Sequence, residues 1–339
     1  MVPSLMKRRE KYLNETRISE QIGKKEIQNR KESIGLFSKL KTKYLQENFQ
    51  STMFILVVLI PTAVWFFTFM FYPIFLTFKN SFTDANLAYN DEHFIGLENY
   101  KRLLSDESFL IALKNTIFAV IYIVPITLTL SLASALLLNS FGKRVREIFT
   151  FFYFLPVVTS MVAISMVWAW LYNPSFGLFN YLLSLVGLPS QEFLSSTKQA
   201  LPSISVIQIW KDVGFYAVIF LAALRTIPKS YYEAARVDGA NRFHLFRHIT
   251  LPLMKPTLIF VGIVSTIGAF KIFDPIKVIT DGGPANSTMV LVLYIIRQGI
   301  TNSEIGYASA IAVVMFVFVL LITLIQWFLM RSDKNQGIQ

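Results

Sequence analysis

EAARVDGANRFHLFRHITLP, residues 233–252, interrupts a chain that is otherwise mostly apolar. The stretch is too polar to cross a bilayer and too regularly patterned for a slack linker. With its upstream flank IPKSYY (227–232) it places Ser230 three residues before Glu233. That is a capping-box pattern, in which hydroxyl and carboxylate each satisfy a free backbone N–H of the first turn. The spacing predicts a helix over 231–238. Gly239 suits the left-handed position that ends such a helix. Asn241 is placed to cap a second short helix through about 248. Pro252 and Pro256 are then expected to break the chain before the next apolar run. In the first helix the small Ala234 and Ala235 stand beside Tyr231, Tyr232 and Val237, so another surface can approach closely. On pattern alone, an interfacial helix packed on lipid or on its own protein fits equally well.

The surrounding composition decides the class. Of 339 residues 54% are hydrophobic and 16% charged, where a soluble domain carries about 25% charged residues. The mean hydropathy is +0.50. Six apolar runs, about 53–78, 110–138, 148–172, 203–225, 257–274 and 305–329, are each near the roughly 20 residues that a transmembrane helix needs. The first follows a long polar tail and reads as a retained span, not a cleaved leader. The chain has no cysteine, which excludes disulfides, thiolate catalysis and cysteine-bound metal, and its three histidines leave little for a metal site.

Charge sets the orientation. Of the 32 Lys and Arg, 23 lie in the tail 1–50, the loops 139–147 and 225–256, and the C-terminus. That excess marks the cytoplasmic side. The expected fold is an all-α polytopic membrane protein with six transmembrane helices and both termini cytoplasmic. It has a basic tail over 1–50, a six-span domain over 51–330 carrying the cytoplasmic loop 229–252, and a short tail over 331–339. The N-terminal tail is suited to anionic lipid headgroups. It lacks the aromatic interleaving of a nucleic-acid binder, so no nucleic-acid partner is expected.

Glu233-Ala234-Ala235, Gly239, Ile249 and Leu251-Pro252, at these spacings, resemble the EAA loop of ABC importer permeases. SFTD (81–84), GLENYKRLL (96–104), ALKNTI (112–117), DGA (238–240), TDGGP (280–284) and GYASAIAVV (306–314) extend the resemblance to the carbohydrate-uptake permeases of the maltose and glycerol-3-phosphate (MalF/UgpA-like) type. The resemblance covers about 50–330. It implies the type I importer permease fold, a second homologous permease as heterodimeric partner, an ATP-hydrolysing subunit dimer, an extracytoplasmic solute-binding protein and a carbohydrate substrate. It also implies a prokaryotic plasma membrane as the setting. In such a family the loop forms coupling helices that dock on the ATPase. Glu233 would make polar contacts there, Ala234 and Ala235 would permit close packing, and Gly239 would make the turn. ATP and Mg would be used by the partner.

The chain itself has no Gly-x-x-x-x-Gly-Lys-[Ser/Thr] loop for phosphates; its Gly-Lys pairs at 23–24 and 142–143 continue into Lys25 and Arg144. No nucleophile motif, metal cluster or carboxylate pair stands out, so no enzymatic activity is expected. A stand-alone secondary transporter or channel is the rival reading. It calls for repeat symmetry or several intramembrane charges, and no repeat between the halves is evident.

The fourth run contains Trp210-Lys211-Asp212. From Val213 to Leu224 there are only 12 residues, about 18 Å of helix, so the span must extend back toward Ile204 and carry these charges into the membrane. One reading makes them a polar wall of the substrate path, with Trp210 and Tyr216 offering aromatic faces to sugar. The other lets Lys211 snorkel and Trp210 join the interfacial belt. Lys271, Phe273 and Asp274, before the tight turn Gly282-Gly283-Pro284, are candidates for an outer gate or are the polar flanks of a span end.

Overall fold

The computed structural model describes residues 53–88 and 92–331, with side chains through 328. The tail 1–50 and residues 332–339 lie outside the described residues. The chain divides between Ile74 and Phe75 into two compact units. The described residues are helical apart from turns, loops and one isolated bridge between Thr83 and Phe94.

Five helices are long and apolar enough to cross a membrane, and a sixth crossing results if one bent pair counts as a single span. Helix α1 covers Met53–Asn80. After the short α2 (Glu98–Ser105) comes α3 (Glu107–Ser140). The expected third span is not continuous: α4 (Lys143–Val158) and α5 (Met161–Leu171) meet at 98°. Pro156 stands near the end of α4, where it lacks an N–H, and Thr159 and Ser160 leave the helical region with ψ of 143° and 130°. The short α6 (Leu178–Leu185) leads to α7 (Ala200–Thr226), the fourth span, which does reach back past Ile204.

The core is the pairing of α3 with α7. On α3 the buried residues Ala112, Thr116, Ala119, Ile123, Thr127, Ser131, Ala135 and Leu138 recur every three or four positions. They form one face, rich in small side chains, against which a second helix can approach closely. Gly214 of α7 uses the same device against α4, where a Cβ would overlap the carbonyl oxygen of Tyr153.

Beyond α7 lie α8 (Lys229–Val237) and α9 (Arg242–Leu245). A π turn over Phe246–Thr250 joins α9 to α10 (Leu251–Phe270). The two prolines do not break the chain as the sequence suggested. In the wide turn the Leu251 N–H bonds to the Phe246 carbonyl, five residues back. That widening lets the helix take in Pro252, which has no N–H to offer, and Pro256 is carried inside α10. A short interruption precedes α11 (Asp274–Ile279). Helix α12 (Leu291–Ile296), prolonged by a π turn to Thr301, is a packed apolar helix with no counterpart among the six apolar runs. The last span is α13 (Ile305–Arg331).

Four of the short motifs, SFTD, GLENYKRLL, ALKNTI and GYASAIAVV, meet at the Glu107 end of α3. Asn99 donates to the carbonyls of Ser81 (3.1 Å) and Thr83 (2.8 Å), and the Tyr100 hydroxyl donates to Ser81 Oγ. Asn115 donates to the carbonyls of Asn286 (3.0 Å) and Met289 (2.9 Å), pinning the 280–284 turn region to α3. Thr116 Oγ1 accepts the first N–H of α12, from Leu291, at 2.9 Å. Gly306 lies so close to the Thr83 carbonyl that a Cβ would overlap it.

Asp106 is the hub of this end. It caps α3 by accepting from the N–H groups of Ser108 and Phe109. Its Oδ2 accepts from the hydroxyls of Tyr294 and Tyr307. Burial works to raise the pKa of this carboxyl, but the two phenols and two amides outweigh it and hold the group below the ordinary aspartate value. Burial, with the hydrogen bond and charge of Asp106, pushes the Tyr294 phenol up to about 12. Arg102 stacks 3.9 Å over the Tyr307 ring and pairs with Glu304 at 2.8 Å.

Candidate functional site

Two regions carry the residues that the sequence singled out: the 229–252 element at the Ser140 end of α3, and the polar groups within the span bundle.

Helix α8 starts at Lys229, capped by the extended Pro228, and no side chain caps it. The expected capping box is therefore absent: Ser230 sits inside the first turn, because Pro228 sets the entry earlier. The exit is as predicted. Gly239 has φ +83°. Its N–H bonds to the Arg236 carbonyl (3.0 Å) and the Ala240 N–H to the Ala235 carbonyl (2.9 Å), the paired bonds of a Schellman turn. Asn241 caps α9, its side chain accepting from the His244 N–H at 2.9 Å. Tyr232 of α8 is tied to Thr250, at the end of the π turn that follows α9, by a hydroxyl contact of 3.1 Å, and Leu245 of α9 is buried. No spacing rule in the sequence pointed to that link.

The element leaves an apolar face exposed among the described residues. Val237 is 88% exposed and Phe243 66% exposed, with Tyr231 and Ala234 also open. Glu233 is exposed, while Ala235 and Ile249 are half-buried. Leu251 and Pro252 are exposed at the start of α10. Four of the seven motif residues, Glu233, Ala234, Ala235 and Gly239, lie in α8 and its exit turn, while Ile249 falls in the π turn and Leu251 and Pro252 begin α10.

Within the bundle the four path candidates separate. Trp210 is 44% exposed, its ring 5.5 Å from that of Trp168. It lines a cavity of about 510 Å³ with Ser134, Tyr153, Pro156 and Gly214. The Lys211 Nζ donates at 3.0 Å to the carbonyl of Thr159, the residue that ends α4 at the break. A cation there meets the partial negative charge of a helix C-terminus. Asp212 is half-buried and accepts from Gln208 Nε2 at 2.9 Å. Tyr216 is only 5% exposed and packs with Ala135, Leu138, Phe220 and Met254. Its ring is therefore taken up by helix packing and offers no stacking face to sugar. Gln208 was missed although its spacing signals it: it stands four residues before Asp212, on the same face of the helix.

Lys271 and Asp274 are exposed, and Phe273 is half-buried against the main core. All three lie at the interruption between α10 and α11, where Phe273 has φ −144° and ψ −59°. Among the described residues no group of three or more His, Asp or Glu is placed to hold a metal ion.

Residues 126–332 match the family described as "Binding-protein-dependent transport system inner membrane component". The chain belongs to this family, and so is a permease subunit of an ATP-binding-cassette importer, a multi-pass membrane protein and not an enzyme. It is 34% identical to the probable ABC transporter permease protein YurN of Bacillus subtilis, over 82% of this chain and 96% of that one. It is 34% identical to the arabinooligosaccharides transport system permease protein AraP of Halalkalibacterium halodurans, over 82% and 88%. With the trehalose/maltose transport system permease protein MalF of Thermococcus litoralis it shares 33% identity, over 79% and 90%. Among solved structures it resembles a chain of a bacterial alginate ABC transporter in complex with an alginate pentasaccharide-bound periplasmic protein. There the TM-score is 0.73 and the identity 25%, covering 86% of this chain and 99% of that one.

Proposed function

We propose that the chain is one half of a heterodimeric permease pair that imports a carbohydrate across a prokaryotic plasma membrane, with both termini cytoplasmic. The observation that carries the mechanism is the outward-facing hairpin of α8 and α9, whose apolar residues are unpaired among the described residues. A subunit without a phosphate-binding loop must draw its energy from a neighbour. The hairpin is the surface offered to an ATP-hydrolysing dimer, which uses ATP and Mg. Closure of that dimer pulls the hairpin, and the pair alternates between inward- and outward-facing states. A solute-binding protein delivers the sugar on the far side. The relatives named for arabinooligosaccharides and trehalose/maltose, and the alginate importer, support an oligosaccharide as the cargo.

Within the path, Asp212 with Gln208 supplies acceptors and donors for hydroxyls, and Trp210 supplies an aromatic face. Lys211 holds the broken third span by its grip on Thr159. Lys271, Phe273 and Asp274, at the interruption of the fifth span, are assigned to the outer gate.

The test is purification of the chain from native membranes with whatever accompanies it, then ATPase measurement with arabinooligosaccharide, maltose and alginate oligomers and the cognate binding protein. The expected result is a second permease, an ATPase, and sugar-stimulated hydrolysis; a chain that runs alone in a detergent known to preserve such assemblies overturns the reading. Glu233→Lys should reduce ATPase co-purification while the chain still folds. Asp212→Ala should lower uptake about tenfold, the size of one lost charged hydrogen bond. Unchanged uptake and unchanged sugar-stimulated hydrolysis in both Asp212→Ala and Asp212→Asn remove that residue from the path.

A further inference from the structure

A cavity of about 950 Å³ lies behind the hairpin, between α8, α9 and the ends of α3 and α7. Its wall has two halves. Leu136 and Leu137 from α3, Leu224 from α7, and Leu245 and Phe246 beside the π turn make an apolar floor. Lys229, Arg236 and Arg242 stand over it, with Glu233 as the one acidic side chain in the lining. These three cations make no ion pair and no side-chain hydrogen bond among the described residues.

We propose that this cavity binds an anionic phospholipid. The phosphate sits among Lys229, Arg236 and Arg242, and the start of an acyl chain lies on the leucine floor. Three considerations favour lipid over a protein segment. The floor is made by the terminal turns of two membrane spans, α3 and α7, so it stands where acyl chains already are. The cations occur where the spans end, the level of headgroup phosphates. The surface suited to a soluble partner is the other one, formed by Tyr231, Val237 and Phe243. The lipid would brace the hairpin against the bundle from behind while its front stays free. The inference rests on membrane insertion, and it stands whether or not the hairpin is the ATPase contact.

Each cation near an anionic surface contributes about a fivefold change in binding, so a pair contributes roughly 30-fold. The experiment places the full chain, with its co-purifying subunits, in phosphatidylcholine nanodiscs doped with spin-labelled phosphatidylglycerol. Wild type should hold the anionic probe well above spin-labelled phosphatidylcholine. Arg236→Gln with Arg242→Gln should weaken it about 30-fold and Lys229→Gln, at an exposed position, about fivefold. Glu233→Gln should tighten it about fivefold, opposite in sign to its expected effect on ATPase docking, and this separates the two readings. Equal retention of the two lipids, or an arginine pair that changes nothing, overturns the proposal. So does displacement of the probe by inorganic phosphate alone, which would make the site one for a free anion. Loss of the ATPase with lipid binding intact in the arginine variant would assign the cations to the protein partner and likewise end it. If the double variant does not assemble, Lys229→Gln and Glu233→Gln still decide the matter by their opposite signs.

Discussion

At the Glu107 end of α3, one carboxylate gathers two backbone amides and two phenols, and residues from four of the short motifs pack at the same end. At the Ser140 end, a glycine turn joins two short helices and one hydroxyl pair ties the first to the π turn beyond the second, above a cavity whose cations have no partner among the described residues. The helix between them has 34 residues, about 51 Å, so the ends are too far apart to share contacts. The first is overdetermined: Asp106, Asn99, Asn115 and Thr116 each fix a separate segment there. The second is underdetermined, with its apolar face and its charges both open. On the coupling mechanism proposed above, the crowded end would serve as a fixed frame and the open end would take its movement from a partner. Elements that move are drawn from the less stable part of a structure.

The sharpest way to break that contrast is to add a methyl-bearing side chain at a glycine of each end. Gly306→Val should be among the most damaging single changes, because its Cβ overlaps the Thr83 carbonyl and neither backbone can yield. The cost should stand at or above the top of the roughly 1–3 kcal/mol typical of overpacking, read as lost folded yield and a lower Tm. At Gly239 nothing lies within 4 Å of the place a Cβ would take, and only its φ of +83° objects. Gly239→Ala should therefore cost about 1 kcal/mol, with little change in yield, while Gly239→Val lowers coupled transport. If Gly239→Val left transport whole in a well-assembled importer, the turn would have no mechanical role.

Asp106→Ala is next in size. It strips the cap from α3 and leaves the Tyr294 and Tyr307 hydroxyls without their acceptor. The expected loss is about 2–3 kcal/mol. Glu233→Ala at the other end removes an exposed side chain and should shift stability by no more than about 0.5 kcal/mol, whatever it does to the proposed ATPase docking. Comparable Tm losses from the two changes would erase the distinction between frame and handle.

The spans were legible because their length and hydropathy depend on local composition alone. So were Gly239 and Asn241, since a left-handed turn and an N-cap are demands on single residues. Three things were not. At the break between α4 and α5 the Thr159 carbonyl is met by Lys211 from 52 positions away, a contact no local pattern reveals. Helix α12 is too short to stand out as a span, and only its packing between α3 and α13 makes it a buried element. The continuity of α10 through Pro252 comes from a widened turn just before it, whereas proline read alone signals an ending. Tyr216 shows the same limit from the other side: sequence placed it near the charges, and only the helix face on which it falls shows that packing claims it.

The finest test of the contrast is pH. The folded pKa of Asp106 is depressed, so its contribution is present above the unfolded value of about 3.9 and is lost as pH falls through the lower folded value. Tyr294 is shifted the other way: its stabilisation is intact below the unfolded value of about 10 and disappears as pH rises through about 12. The Glu107 end should therefore hold constant strength between about pH 5 and 9, with thermal stability flat across that window. Asp106→Asn should abolish the acid-side fall attributable to this group and leave the plateau flat. A wild-type Tm that slopes between pH 5 and 9, with the slope removed by Asp106→Asn, would mean that the carboxylate titrates within the working range. The frame would then be a responsive element like the hairpin at the opposite end.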